Sequence, residues 1–178
     1  MIGWHDADML RNAFILLMCL TCTACGFHPV YGVNKYQAVG VEQFMAATDI
    51  ANIPDREGQI LRNHLIDRFH RGGTQDARYR MEISPIRESI RDLDITVTSD
   101  STRAQLRLNA TMVLRDLPSG DVLLNQPLNS IVSYNILASE FSTRISENNA
   151  RENGLNDMAD KIESRVSLYF KRVSGQKL

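Results

Sequence analysis

The clearest pattern in the chain is an alternation. Ala104, Leu106, Leu108, Ala110, Met112 and Leu114 are apolar, and Arg103, Gln105, Arg107, Asn109 and Thr111 between them are polar. A period of two sustained over this length predicts a β-strand with one buried and one wet face. Asp116-Leu-Pro-Ser-Gly-Asp121 has turn chemistry, and Val122, Leu124, Leu128, Val132 and Tyr134 alternate beyond it. The two segments should pair as an antiparallel hairpin.

Upstream the alternation is interrupted. Tyr79, Met81 and Ile83 keep one phase, which slips at Ser84-Pro85, resumes at Ile86 and Ile90, and slips again before Leu93, Ile95 and Val97. Each slip turns the apolar side chains to the other face unless a bulge absorbs it, so the region reads as one long bent strand or two short consecutive ones. Pro85 belongs at an edge or a bulge. A short apolar stretch at 44–50, ahead of the turn-like Asn52-Ile-Pro54, is a further strand candidate.

Helical periodicity occurs twice. From Pro54-Asp55 to about Arg71, Leu61, Leu65, Ile66 and Phe69 gather on one side, with Arg62, Asp67 and Arg68 on the wet side. Proline suits a first turn, Asp55 and Glu57 favour the positive end of the helix dipole, and Gly72-Gly73 ends the pattern. The second helix spans 139–172, with Leu155, Met158, Ala159, Ile162, Val166 and Tyr169 as one stripe. Gly154 costs it about 1 kcal/mol relative to Ala and marks a kink or a weak first half. The order strand, helix, three or four strands, helix predicts an α+β fold: two helices packed on one face of a mainly antiparallel four-stranded sheet.

The N-terminus departs from this picture. Residues 13–24 are apolar, too few to span a bilayer as a helix and the right number for the core of a signal peptide. Thr23-Ala24-Cys25-Gly26 closes the run like a lipobox, with Cys22 where Leu is usual. Asp6 and Asp8 sit where a signal peptide should be positive, and Met9-Leu-Arg11 offers a cleaner start. We therefore expect a lipoprotein signal peptide at 1–24, a lipidated N-terminus and tether at 25–43, and a single α+β domain at 44–178. Cys19, Cys22 and Cys25 have the spacing of an iron–sulfur motif, but the segment is apolar and the chain has no fourth Cys.

Charge narrows the partners. The chain carries 20 Lys and Arg against 21 Asp and Glu, a formal net charge of −1, and from Cys25 onward the two signs are equal. No global basic footprint points to nucleic acid. With Cys25 acylated, no cysteine pair remains for an intramolecular disulfide. Acyl chains such as palmitate contribute about 0.8 kcal/mol per buried methylene, and two or more hold a protein firmly on a membrane. His64 and His70 lie six apart, on different faces of the first helix, where a metal pair needs three or four. No metal site is expected, and no nucleophile and base stand at convincing spacing.

Four segments together carry a resemblance: Cys25-Gly-Phe-His-Pro-Val-Tyr-Gly32, Ile53-Pro-Asp-Arg-Glu-Gly-Gln-Ile-Leu-Arg-Asn-His-Leu65, Ser133-Tyr-Asn135 and Asn149-Ala-Arg-Glu152. In this order they resemble the LPS-assembly lipoprotein family, LptE, in its alphaproteobacterial form. The resemblance implies a non-enzymatic domain without cofactors beyond the lipid on Cys25, held on the periplasmic side of the outer membrane. It further implies a partner, the β-barrel LptD, which the domain plugs and helps to assemble, and binding of lipopolysaccharide in transit to the cell surface. Another periplasmic lipoprotein, a binding or scaffolding module for an envelope transporter or the cell wall, fits the anchor equally well.

Lipopolysaccharide presents phosphates and carboxylates, which guanidinium forks match bidentately. Arg103 and Arg107 stand four apart on the wet face of the best strand, about 13 Å from end to end. Arg78 and Arg80 open the preceding strand and are expected to join them as a lipopolysaccharide-binding face. Arginines on a wet sheet face also serve simply as solubilising groups.

Overall fold

In the computed structural model, which describes residues 35–93 and 103–175, the elements run α1 (Lys35–Ala46), β1 (Thr48–Ile50), α2 (Asp55–Phe69), β2 (Tyr79–Ile83), β3 (Arg87–Asp92), β4 (Arg103–Asp116), β5 (Val122–Asn135) and α3 (Glu140–Gly175). Strand β4 is the spine of a five-stranded sheet. Along one edge it pairs antiparallel with β5 from Arg103↔Asn135 to Arg115↔Val122. Its other edge is shared by β2, opposite 112–116, and β3, opposite 104–109.

The sharing is a consequence of Ser84-Pro85. Ile83 is opposite Met112 and Arg87 is opposite Asn109, so three residues on one side face two on the other. Ser84 still exchanges bonds with Thr111, its N–H donating to the Thr111 carbonyl at 2.9 Å and its Oγ accepting from the Thr111 N–H at 2.9 Å. The surplus residue is a bulge. It carries Ile83 and Ile86 to the same, helix-covered side despite their odd spacing, the alternative of two short consecutive strands. The second slip, with Ile95 and Val97, lies outside the described residues.

Three expectations are corrected. The sheet has five strands, because the row beside β4 is broken at the bulge. It is mixed, because β1 runs parallel to β2, with Thr48 opposite Tyr79. There are three helices among the described residues, because 35–43, expected as tether, is helical and continues through Phe44, expected as strand. Val41, Phe44 and Met45 stand at helical spacing and pack into the core, with the Phe44 ring stacked on Phe170 at 5.0 Å. Gly40 has nothing within 4 Å of an added Cβ and simply lies in the helix. The expected signal peptide and the expected lipidation site Cys25 lie outside the described residues.

The core lies between one face of the sheet and the helices. Ala104, Leu106, Leu108, Ala110, Met112 and Leu114 are all buried, as the alternation predicts, together with Tyr79, Met81 and Ile83 from β2. Leu61, Leu65 and Phe69 of α2 meet them, as do Leu155, Met158, Ala159, Ile162 and Val166 of α3. The stripe on α3 ends in Phe170, 2% exposed, where the sequence suggested Tyr169, which packs at the margin. Val122 is likewise displaced: the irregularity at Leu114/Arg115 puts it opposite Arg115 on the outer face, and Leu123 packs against the core instead.

Helix α3 is continuous through Gly154. The glycine lets it approach the sheet, as a Cβ there would stand 2.8 Å from Leu108 Cδ1 and 3.5 Å from Val132 Cγ2. The start of α2 is similarly tight. Asp55 has φ 67°, a left-handed conformation that Asp tolerates better than most residues, and the chain before it folds back over Gly58. The Gln59 amide donates to Asn52 Oδ1 and to the Ile53 carbonyl, both at 2.7 Å, and Arg62 Nε donates to the Ile50 carbonyl at 3.1 Å.

Candidate functional site

The three described helices lie on one face of the sheet, and none of them covers the other. Its charges divide into two regions. Near β1 they are paired: Arg80 with Asp49 at 3.8 Å and Arg115 with Glu82 at 3.4 Å. Such exposed pairs contribute little stability, but they neutralise this end.

The other end is different. The register puts Arg87 beside Asn109, Ser89 beside Arg107 and Arg91 beside Gln105, so the outward side chains of β3 are Arg87, Ser89 and Arg91. Arg107 is thus a diagonal neighbour of both Arg87 and Arg91, and Arg91 of Arg103, at the roughly 7–8 Å typical of diagonal positions. Arg107 Nε donates to Gln105 Oε1 at 2.9 Å, which holds its guanidinium along the strand. Among the described residues no acidic side chain shares this part of the face. The acids of β3, Glu88 and Asp92, alternate to the helix side.

There Glu88 meets α3. Arg151 donates to both Glu88 oxygens, at 2.8 and 2.7 Å, and to Glu147 Oε1 at 2.6 Å. The Glu88 hydrogen bond foremost, with Glu147, holds the guanidinium charged even more firmly than usual, against the opposing effect of burial. Burial and the nearby Glu147 and Asp92 raise the Tyr134 phenol. The short strand Arg87-Glu-Ser-Ile-Arg-Asp92 therefore separates its charges by face, with Glu88 tied to the helix, Asp92 on the same side, and Arg87 and Arg91 on the opposite one.

The four sequence-predicted arginines are not brought together. Arg80 is opposite Arg115, eight positions along β4 from Arg107, or about 27 Å at strand rise. Arg78 leaves the row, with its Nε 3.4 Å from Asp116 Oδ1 and its guanidinium carbon 5.7 Å above the centre of the Tyr79 ring. Burial would raise the Asp116 carboxyl, but bonds from Ser119 and Arg78 outweigh it and hold the group below its ordinary value. Arg103 and Arg107 do share one region, and Arg87 and Arg91 complete it. Sequence reading passed over the latter two, although the strand-period separation of their charges from Glu88 and Asp92 was a usable signal.

The histidines act locally. His70 Nε2 is 3.1 Å from the Thr48 carbonyl oxygen, and His64 Nε2 is buried without a hydrogen-bond partner. No group of three or more metal-ligating side chains occurs among the described residues, and none of the described helices is long and apolar enough to cross a membrane.

The fold recurs in solved structures. A chain described as a lipoprotein of Caulobacter crescentus CB15 superposes with a TM-score of 0.57 at 18% identity, covering 74% of this chain and 96% of that one. The minor lipoprotein of Acinetobacter baumannii gives 0.53 at 17% identity over 69% and 92%. Rare lipoprotein B of Shewanella oneidensis gives 0.56 at 10% identity over 71% and 96%. Comparison with curated protein sequences finds no match. A family model described as LptE, lipopolysaccharide-assembly, matches residues 36–166.

Proposed function

We propose, from the premise that this chain belongs to the LptE lipopolysaccharide-assembly family, that it is an outer-membrane lipoprotein that plugs an LptD-type β-barrel and helps to assemble it, and that it contacts lipopolysaccharide on its way to the surface. Its role is to bind and to scaffold, not to catalyse. In this reading residues 1–24 are removed, Cys25 carries the acyl chains, and the segment after it links the membrane to the folded unit.

The observation that carries the lipopolysaccharide part is the arginine row. Arg87, Arg91 and Arg107 present cations at diagonal spacing, with Arg103 diagonal to Arg91, on the sheet face that none of the described helices covers. A guanidinium forks onto phosphate oxygens, and several at fixed spacing favour a ligand carrying more than one anionic group. Arg78 and Arg80, expected in the same site, are better placed as a separate, neutralised end.

The test is to purify a tagged copy from outer membranes in mild detergent and identify what accompanies it. A large β-barrel in one-to-one stoichiometry supports the plug reading. A chain found alone, or with an inner-membrane transporter, sinks it in favour of a scaffolding lipoprotein. Mass spectrometry of the same material reads Cys25 directly, since lipidation shifts the N-terminal peptide by the mass of its acyl groups.

A further inference from the structure

Among the described residues strand β5 is an edge strand, and α3 treats the two halves of that edge differently. Thr111 directs its N–H and C=O to Ser84, away from β5, so its partner Pro127 also points its backbone groups away from the ladder. By the alternation of an antiparallel pair, 127, 129, 131, 133 and 135 all present their backbone groups to the free edge.

One half of the edge is closed. Pro127 has no N–H, Arg165 donates to its carbonyl at 2.6 Å, and Lys161 donates to the Asn129 carbonyl at 2.9 Å. Lys161 is held by Asp157 at 2.6 Å, which also accepts from Ser130 at 2.6 Å. Proline and inward-reaching cations are devices that stop another strand from adding.

The other half is open. One and two turns N-terminal to Asp157 the same flank of α3 bears Asn153, Asn149 and Ala150, and between them and the edge runs a groove of about 270 Å³ bounded also by Val132, Ser133 and Leu137. None of the described residues lining it is charged. The groove thus offers strand donors and acceptors on one wall, side-chain amides on the other, and an apolar floor, which suits a polypeptide backbone rather than an anionic headgroup.

We propose that the 131–135 edge of β5, with this groove, receives an extended acidic segment of a partner polypeptide as an added strand. Main-chain bonds to Ile131 and Ser133 would supply affinity and alternate side chains specificity. Inward side chains of the segment would rest on Ala150 and Leu137. Outward ones would lie about 10 Å from β4, two strand spacings, where Arg107 is opposite Ile131. That charge selects acidic residues at the outward positions. The main-chain part of the inference uses the edge and not the face, while its preference for acidic residues shares Arg107 with the lipopolysaccharide reading.

The test uses the full-length protein and two probes, acetyl-Glu-Val-Glu-Val-Glu-amide and its lysine counterpart. The glutamate peptide should slow amide exchange at 131 and 133 and leave 125 unaffected. Ser133→Pro should weaken binding about tenfold or more without lowering the melting temperature, because its N–H, like the missing one of Pro127, is outside the ladder. Asn129→Pro, in the closed half, should bind normally. No protection by the glutamate peptide, or binding indifferent to Ser133→Pro, overturns the site. Equal binding of the lysine peptide overturns the acidic partner. A concentration-dependent dimer abolished by Ser133→Pro overturns it in favour of a second copy of the chain.

Discussion

A Cβ placed on Gly154 would stand 2.8 Å from Leu108 Cδ1. The contact is with the end of a side chain, which can turn, although Leu108 is itself buried. At Gly58 the corresponding atom would meet backbone, 2.9 Å from the Ile53 carbonyl carbon and oxygen. Alanine gains about 1 kcal/mol of helix propensity at either position. Gly154→Ala should therefore stay within about 1 kcal/mol of the parent, while Gly58→Ala should lose roughly 1–3 kcal/mol from forced backbone shifts. Urea unfolding distinguishes them, and equal losses would show that the helix cannot yield at either glycine.

Acid should weaken the closure of the β5 edge. Burial would raise the Asp157 carboxyl, but Lys161 and Ser130 outweigh it and keep the group below its ordinary 3.8. The folded form then holds this proton less tightly than the unfolded chain, so protonation favours unfolding. The contribution is complete above the unfolded value and disappears as pH falls through the folded one. Stability measured between pH 6 and 3 should fall less steeply in Asp157→Asn than in the parent. Identical slopes would remove Asp157 from the account.

Arg151 should hold β3. All six residues of that strand are exposed, and its charged anchor to the helices is Glu88. Arg151 is 18% exposed at its side chain and Glu88 28%, so truncating the arginine leaves two half-buried carboxylates. Arg151→Ala should cost about 2 kcal/mol and speed amide exchange in β3 before that in β2. Uniform acceleration would mean that the pair supports the whole sheet.

The arginine row predicts a gradient along the open face. Arg87→Glu combined with Arg91→Glu should weaken binding of purified lipopolysaccharide by about tenfold or more, since each charge-assisted bond contributes roughly 1.5–3 kcal/mol, and added salt should narrow the difference. Arg80→Glu, about 27 Å from Arg107, should do little. If Arg80→Glu weakened binding as much as Arg91→Glu, binding would follow net charge and not this row.

Much of this was legible in residue order. The alternation from Arg103 to Leu114 located β4 and its buried face because a strand's side chains have a period of two wherever one face meets a core. Ser84-Pro85 announced the bulge, since proline cannot donate to a ladder. Helix α1 was obscured because its apolar positions Val41, Phe44 and Met45 make little over one turn, too short for periodicity to outweigh a nearby Gly and Pro. Its place was fixed by distant partners, with Phe44 stacked on Phe170.

What the sequence determined by itself was therefore local: which residues alternate, where turns and bulges interrupt them, and which side of each element is apolar. The tertiary structure decided what requires pairing between segments far apart in the chain. Register placed Arg87 and Arg91 beside Arg107 and sent Arg80 to the far end of the sheet. It turned β1 parallel to β2, made Gly154 a point of close approach instead of a weakness, and set one flank of α3 along β5 so that half its edge is closed and half open. Periodicity records a residue's own environment, but nothing in a single segment specifies which other segment supplies that environment.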